Sequence, residues 1–301
     1  MDKTIPEVSI LMTFLNPGFF FAPAVESLLN QTFSNFELIA IDDGSTDGSL
    51  EWLKTLEDTR IVVVEPGKRL GRTPALNAAL SIAQGEFIAV LDADDISKPT
   101  RLQEQVDYLR DHPDCVLVGT NFEQVDERDR VLNAHEWPSD PDDVYQLLCS
   151  VNPIAHSSSM YRRAAAELVG GYPSKYAYAQ DYGLWLRLAR VGGVAILPRI
   201  LVSIREHSQQ MTVVPEYLVA RGMDAKNLFD EAARLPGMSG KARRANRRER
   251  GLARYRIALN MVRMRRPFQA LAWGIRGTIL APFEMMKRLL ASAMGVKMHP
   301  L

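Results

Sequence analysis

Apolar positions along this chain alternate between two rhythms. Val8 to Phe14 is an apolar run rich in β-branched side chains, as a buried strand requires, while Phe20 to Asn30 places Val25, Leu28 and Leu29 at helical spacing. The alternation continues. Phe36 to Ile41 predicts a second strand, and Gly48 to Leu56 a helix with Leu50, Leu53 and Leu56 on one face, capped by Ser45-Thr46-Asp47. Arg60 to Glu65, Pro74 to Ala83, Glu86 to Leu91 and Pro99 to Leu109 then read as strand, helix, strand and helix. Strands and helices alternating at this spacing predict an α/β protein with a doubly wound sheet and helices on both faces. Val116 to Val125 predicts another strand, Asp140 to Cys149 and Arg162 to Val169 short helices, and Asp181 to Val191 a longer one. Ala195 to Arg205 reads as a strand interrupted by Pro198. From Tyr217 the pattern is helical throughout, so a boundary is expected near Val214-Pro215, dividing a body over 1–215 from a helical region over 216–301.

At 301 residues and 47% hydrophobic content the chain can bury a sizeable core, as an enzyme-sized soluble body would. Cys115 and Cys149 are too few for a disulfide framework, and their apolar neighbours predict buried thiols in a reducing cytoplasm. Met1-Asp2-Lys3-Thr4 lacks a basic leader, so Val8 to Leu15 reads as a first strand rather than a signal sequence.

The net charge of zero hides two opposed parts. Residues 236–301 hold 15 Lys or Arg against Glu249 and Glu284, a balance of +13, which leaves residues 1–235 at −13. Lys241 to Arg266 is too cationic for an ordinary core helix; it is either a solvated face or a surface drawn to anionic lipid headgroups. Pro267 to Met286 is apolar, with Phe268, Leu271, Trp273, Ile275, Ile279, Leu280 and Phe283, but Arg276, Pro282 and Glu284 break it. No run reaches the roughly 18 to 20 apolar residues that a spanning helix needs. The reading is therefore a peripheral contact with an anionic membrane, the alternative being a helical cap on the body. Nucleic acid is excluded as partner, because the body is acidic and no binding motif accompanies the basic segment.

Two acidic turns close predicted strands: Asp42-Asp43-Gly44-Ser45 after the second, and Asp92-Ala93-Asp94-Asp95 after the fourth. Asp, Gly and Ser build turns on their own account, which suffices for the first cluster taken alone. The second is different, because three carboxylates in four residues repel one another unless a cation compensates them. At the carboxyl ends of an open parallel sheet, where nucleotides bind, such a cluster suits a divalent cation holding phosphate oxygens.

These clusters belong to a longer pattern. Val8 to Asn16, Ser27 to Phe33, Ile41 to Asp47, Ala83-Gln84-Gly85-Glu86-Phe87-Ile88 and Leu91 to Asp95 together resemble the family 2 glycosyltransferases, inverting enzymes of the GT-A fold that use nucleotide sugars. The resemblance continues through Asn152-Pro153-Ile154-Ala155-His156, Val169-Gly170-Gly171-Tyr172, Gln180 to Arg187 and Ile204-Arg205-Glu206-His207, covering roughly residues 5 to 212. It implies that Thr13, Asp42 and Asp43 belong to the nucleotide-sugar site, Asp43 accepting from a uracil-type imide N–H, with Asp42 alternatively facing the adjacent loop. It implies also that Asp94, helped by Asp95, holds Mn²⁺ or Mg²⁺ on the diphosphate, with Asp92 nearer the ribose. His207 is expected to approach the metal or the diphosphate.

Asp181, ahead of the amphipathic stretch Tyr182 to Ala189, stands where the family carries its base; the bland account is a helix cap. Two departures stand out. Gln180 replaces the acid that usually precedes the base, and Ala75-Leu76-Asn77 lacks the usual arginine, so a cation from the preceding loop, Arg72 before Lys68 or Arg69, is expected at the diphosphate. His156 reads as a satisfied core histidine or as a shaper of the acceptor side, and Trp185 as core, with Arg187 near the acceptor.

The resemblance implies a metal-dependent inverting transferase that moves a sugar from a nucleoside diphosphate, UDP first, to a hydroxyl of a glycan or lipid-linked acceptor. Its setting would be polysaccharide synthesis at the cytoplasmic membrane face. A nucleotidyltransferase is the rival enzyme, but Asn16-Pro17-Gly18-Phe19 is a poor phosphate loop. A silent sugar-nucleotide-binding protein is the rival without chemistry, and Asp181 argues against it.

Overall fold

The computed structural model describes residues 5–207, 218–264, 267–282, 284 and 286. The chain forms two compact units. The first holds the described residues up to Tyr145 together with Pro153–Lys175 and Gln180–His207; the second holds Gln146–Asn152, Tyr176–Ala179 and the described residues from Leu218 onward. The boundary expected near Val214-Pro215 lies outside the described residues.

The elements run β1 (Val8–Phe14), α1 (Phe21–Leu29), β2 (Phe36–Asp42), α2 (Ser49–Lys54), β3 (Ile61–Val64), α3 (Arg72–Ile82), β4 (Phe87–Val90), β5 (Ile96–Ser97) and α4 (Arg101–Asp111). There follow β6 (Cys115–Val125), β7 (Val131–His135), α5 (Pro141–Leu148), β8 (Met160–Arg162), α6 (Arg163–Leu168), α7 (Gln180–Leu188) and β9 (Gly193–Arg205). They build one mixed sheet in the order β3-β2-β1-β4-β8-β6-β9-β5, with β7 beside β6. β1, β2, β3 and β4 are mutually parallel, and β8 is inserted antiparallel between β4 and β6.

The apolar centres of β1 and β2 follow from burial on both faces: Ile10, Leu11 and Met12 are fully buried, as are Leu38, Ile39 and Ala40. Phe21, Val25 and Leu28 of α1 and Leu102, Val106 and Leu109 of α4 close over the same core. On β9 the pairing with β6 jumps from Leu197 to Ile200, so Pro198 and Arg199 are passed over. A residue without an N–H cannot serve the ladder, and the interruption expected at Pro198 is this irregularity.

Three strands were invisible to the pattern. β5 and β8 have two and three residues, too short to display a period, and β7 is an exposed edge strand whose Val131 and Leu132 face solvent. The helix expected to reach Leu56 ends at Lys54, and of the proposed caps Asp47 meets it, Oδ1 accepting from the Ser49 N–H at 3.1 Å while Oδ2 accepts from Gly18 N–H at 2.8 Å.

The second unit contributes α8 (Leu218–Ala232), α9 (Gly240–Arg263) and α10 (Pro267–Leu280), the helical C-terminal region that the sequence predicts. No helix among the described residues is long and apolar enough to cross a membrane. Both cysteines are buried free thiols, and burial pushes each pKa up to about 11, so they stay protonated near neutral pH.

Candidate active site

The order β3-β2-β1-β4 reverses at β1, and the crevice beyond the carboxyl ends of β1 and β4 is the place such a sheet offers a ligand. The loops after β1, β2 and β4 meet there. Asn16 ties the first two together: its Oδ1 accepts from Thr46 N–H at 2.7 Å, and its own N–H donates to Ser45 Oγ at 3.0 Å. Asn16 does so in the left-handed region, φ 50°, which asparagine tolerates better than most residues. Thr13, half-buried near the end of β1, pairs with Ile41.

The carboxylates of the first acidic turn are both buried and both engaged. Asp42 Oδ1 accepts from Ser45 N–H at 2.8 Å, so Asp42 faces its own loop, one of the two placements open to it from sequence. Asp43 Oδ1 accepts from Leu70 N–H at 2.5 Å and Oδ2 from Gly71 N–H at 3.0 Å, the latter at φ 81°, where glycine alone is comfortable. Asp43 thus anchors the loop that delivers Arg72. A carboxylate retains acceptor capacity beyond two bonds, and Arg69 approaches Oδ2 at 3.9 Å.

Arg72, the first residue of α3, points its Nη2 at both oxygens of Asp92, 2.6 and 2.7 Å away, and at His156 Nδ1, 3.1 Å away. Burial alone would raise the Asp92 carboxyl, but Arg72, with His156 as a further partner, holds it well below the ordinary range. Burial likewise opposes the charge on Arg72, and Asp92, with Asp94 and Asp181 behind it, more than reverses that. The guanidinium touches Asp92 alone of the three; the charges of Asp94 and of Asp181 on α7 act on it from further off. The pair is not sealed off, since Arg72 and Asp92 side chains remain 25% and 26% exposed.

Asp94 and Asp95 behave in the opposite sense. Burial and the neighbouring Asp92 charge raise the Asp94 carboxyl, against the pull of His207, whose Nε2 lies 2.9 Å from Asp94 Oδ2. Burial, then Asp94 and Asp92, push Asp95 well above its ordinary value although Ser157 Oγ donates to Oδ2 at 2.5 Å and Arg205 N–H to Oδ1 at 2.9 Å. The short pairing of β5 on β9, Ile96 opposite Ser203, brings Asp95 to Arg205 and holds the turn in place.

One acid of the turn is paired to a cation, and the other two carry a repulsion that their partners offset only in part. Ligand atoms of Asp92, Asp94 and Asp95 lie within 4.8 Å of one another. Hard carboxylate oxygens at that spacing fit a divalent cation of the Mg²⁺ or Mn²⁺ kind, which would relieve the repulsion. The buried Nδ1 of His207 has no hydrogen-bond partner among the described residues.

Asp181 sits in the first turn of α7, half-buried, and its charge reaches both Arg72 and the Tyr172 hydroxyl. Of two surface cavities, about 370 Å³ beside Glu7, Gln84 and Arg163 and about 410 Å³ beside Glu26, Lys98 and Ser203, neither is lined by Asp94 or Asp181. Trp185 is core, as expected, fully buried with Nε1 donating to Ile154 O at 3.2 Å. Arg187 instead turns back on the Val169 and Gly171 carbonyls, each 3.4 Å away.

Sequence reasoning undervalued one group of residues. His156 is a satisfied buried histidine, but what satisfies it is the site: Nδ1 lies 3.2 Å from Asp92 Oδ1 and Nε2 3.0 Å from Tyr172 Oη, which in turn meets Tyr161 Oη at 3.0 Å. Donation from Nδ1–H to Asp92 leaves Nε2 to accept from the tyrosine hydroxyl, so every group has a partner. Ser157 serves Asp95 and also accepts from Asp92 N–H at 3.0 Å. The signal was present in the motif residues His156 and Tyr172, whose partners only the fold reveals.

The family model described as Glycosyl transferase family 2 matches residues 9–170 of this chain. The chain is 35% identical to the putative glycosyltransferase EpsE of Bacillus subtilis, over 67% of this chain and 74% of that one. Among solved structures it resembles S. aureus TarS 1-349 in complex with UDP-GlcNAc, with a TM-score of 0.69, 16% identity and coverage of 91% of this chain and 84% of that one. It also resembles the mannosyltransferase PcManGT from Pyrobaculum calidifontis in complex with GDP-Man and Mn²⁺, with a TM-score of 0.60, 20% identity and coverage of 96% and 80%. At such identities these two likenesses are of fold.

Proposed function

For a chain that belongs to glycosyl transferase family 2, we propose a metal-dependent, inverting transfer of sugar from a nucleoside diphosphate, UDP first, to a hydroxyl of a glycan or lipid-linked acceptor presented at the cytoplasmic face of a membrane. The observation that carries this reading is the acidic turn after β4, where ligand atoms of Asp92, Asp94 and Asp95 lie within 4.8 Å of one another, with Arg72 on Asp92 and His207 on Asp94. The charge of Asp181 also acts on Arg72, which supports Asp181 as the candidate base. TarS and PcManGT, whose structures hold UDP-GlcNAc and GDP-Man, support a nucleotide-sugar donor without choosing the base.

In this reading the loops carrying Thr13, Asp42 and Asp43 border the nucleoside, Asp92 lies toward the ribose, and Asp94, Asp95 and His207 hold Mn²⁺ or Mg²⁺. Such an ion would supply Lewis-acid neutralisation of the charge on the diphosphate. Arg72 orients Asp92 and adds a fixed positive charge beside the phosphates, the task left open by Leu76. Asp181 accepts the proton of the acceptor hydroxyl. The hydroxyl oxygen then bonds to the anomeric carbon as the bond from that carbon to the phosphate oxygen breaks, the nucleoside diphosphate leaving with both electrons of that bond and the centre being inverted.

A thermal-shift panel of nucleoside diphosphates and their sugars, with and without Mn²⁺, tests the donor. A ligand present at about a hundred times its Kd stabilises the folded state by about 2.7 kcal/mol, and the reading expects such a shift with Mn²⁺ for one nucleotide class. No shift with any member of the panel would refute it.

A further inference from the structure

α10 is built inside out for a helix in water. Its contact with α9 is made by small residues: a Cβ on Gly277 would lie 3.0 Å from Gly251 O, and one on Gly251 would meet Ala281 Cβ at 2.6 Å. Ala270 and Ala281 are buried, at 5% and 6% exposure. While Trp273 and Leu280 are half-buried, four large apolar side chains go the other way, Phe268 at 88%, Leu271 at 63%, Ile275 at 54% and Ile279 at 65% exposed. Their spacing of three, four and four residues puts them on one stripe.

Water would favour the reverse arrangement, each such side chain being worth about 1.5–3 kcal/mol when buried. Packing through small residues with large apolar ones outward is the habit of helices whose surroundings are lipid. The 14 residues of α10 extend about 21 Å at 1.5 Å per residue, short of a hydrocarbon core of about 30 Å, so the helix suits the interface plane and not a crossing.

Charge identifies the lipid. Exposed Arg276 lies on α10 itself, and exposed Arg247 stands at the helix's C-terminal end, where its Nε donates to Leu280 O at 3.2 Å; Arg248 is paired with Glu284 at 3.5 Å and adds no net charge. Lys241, Arg243 and Arg244 are exposed further along α9. We propose that the Phe268, Leu271, Ile275, Ile279 face docks in the plane of an anionic bilayer, its flanking arginines on the headgroup phosphates. The proposal rests on the membrane part of the reading above and names the surface responsible. A second copy of the chain is the poorer occupant, because two such faces would bring two segments of +13 together.

Flotation of the full chain with phosphatidylglycerol–phosphatidylcholine vesicles and with pure phosphatidylcholine vesicles tests it. Binding is expected to the anionic vesicles, weakened by salt, and the double variant L271S/I275S should partition about tenfold less or worse with its melting temperature unchanged. Phe268→Ser, at the most exposed position, repeats the test should the double variant melt early. A chain that stays in solution with anionic vesicles overturns the proposal, as does a folded variant that floats like the original, or light scattering that shows a dimer lost in the variant. Donor thermal shifts read in parallel keep the two claims apart: their absence with vesicle binding retained sinks the catalytic reading alone.

Discussion

At the scale of single residues, the site's logic is unequal treatment of three acids from one turn. Asp92 is claimed by Arg72 and His156, while Asp94 and Asp95 are left to repel each other with weaker compensation. The support behind Asp92 runs through Tyr172, and Tyr172→Phe would leave the buried Nε2 of His156 without its hydroxyl donor. We expect that variant to lose about 1–3 kcal/mol, read as a lower urea midpoint at unchanged m-value. An unchanged midpoint would show that His156 does not depend on the tyrosine. The acids themselves were legible in sequence because like charges clustered at a strand end are costly without a purpose. Their props were not, since His156, Ser157 and Arg205 are 62 to 110 positions from the acids they serve and only the fold shows which acid each one meets.

At the scale of elements, periodicity found what is long and buried and missed what is short or exposed. β1, β2, β6 and β9 declared themselves by apolar runs, whereas two-residue β5 could not, although β5 is what brings Asp95 to Arg205. In the helical unit, composition marked α9 as a surface and passed over a specific role for its arginines: Arg250 and Arg254 bind Asp230 of α8 at 2.5 and 2.9 Å. Burial alone would raise the Asp230 carboxyl, but Arg250, Arg254 and Lys226 outweigh it and hold the pKa below its ordinary value. A depressed carboxyl adds stability that is complete above the unfolded pKa of about 3.9 and fades as pH falls through the folded one. Chemical denaturation across pH should therefore show wild type more stable than Asp230→Asn near neutrality, with the gap closing in acid. A gap constant with pH would assign the contribution to something other than this charge.

At the scale of the molecule, an acidic body and a basic helical region divide the labour. The body places the ends of β1, β2 and β4 around one crevice, and the helices present a cationic, apolar surface of their own. The fold class was readable because the sheet's parallel half is written in alternating strand and helix; its antiparallel insertions needed coordinates. The central claim is that Asp94 serves the donor through a cation while Asp181 serves the acceptor. Calorimetric titration of the nucleoside diphosphate sugar chosen by the thermal-shift panel, with Mn²⁺, into wild type, Asp94→Ala and Asp181→Asn tests it most directly. The account predicts donor affinity in Asp181→Asn equal to wild type with transfer reduced about 10²-fold or more, and in Asp94→Ala the loss of Mn²⁺-dependent binding. Donor binding that is lost in Asp181→Asn, or that keeps its Mn²⁺ dependence in Asp94→Ala, would contradict it.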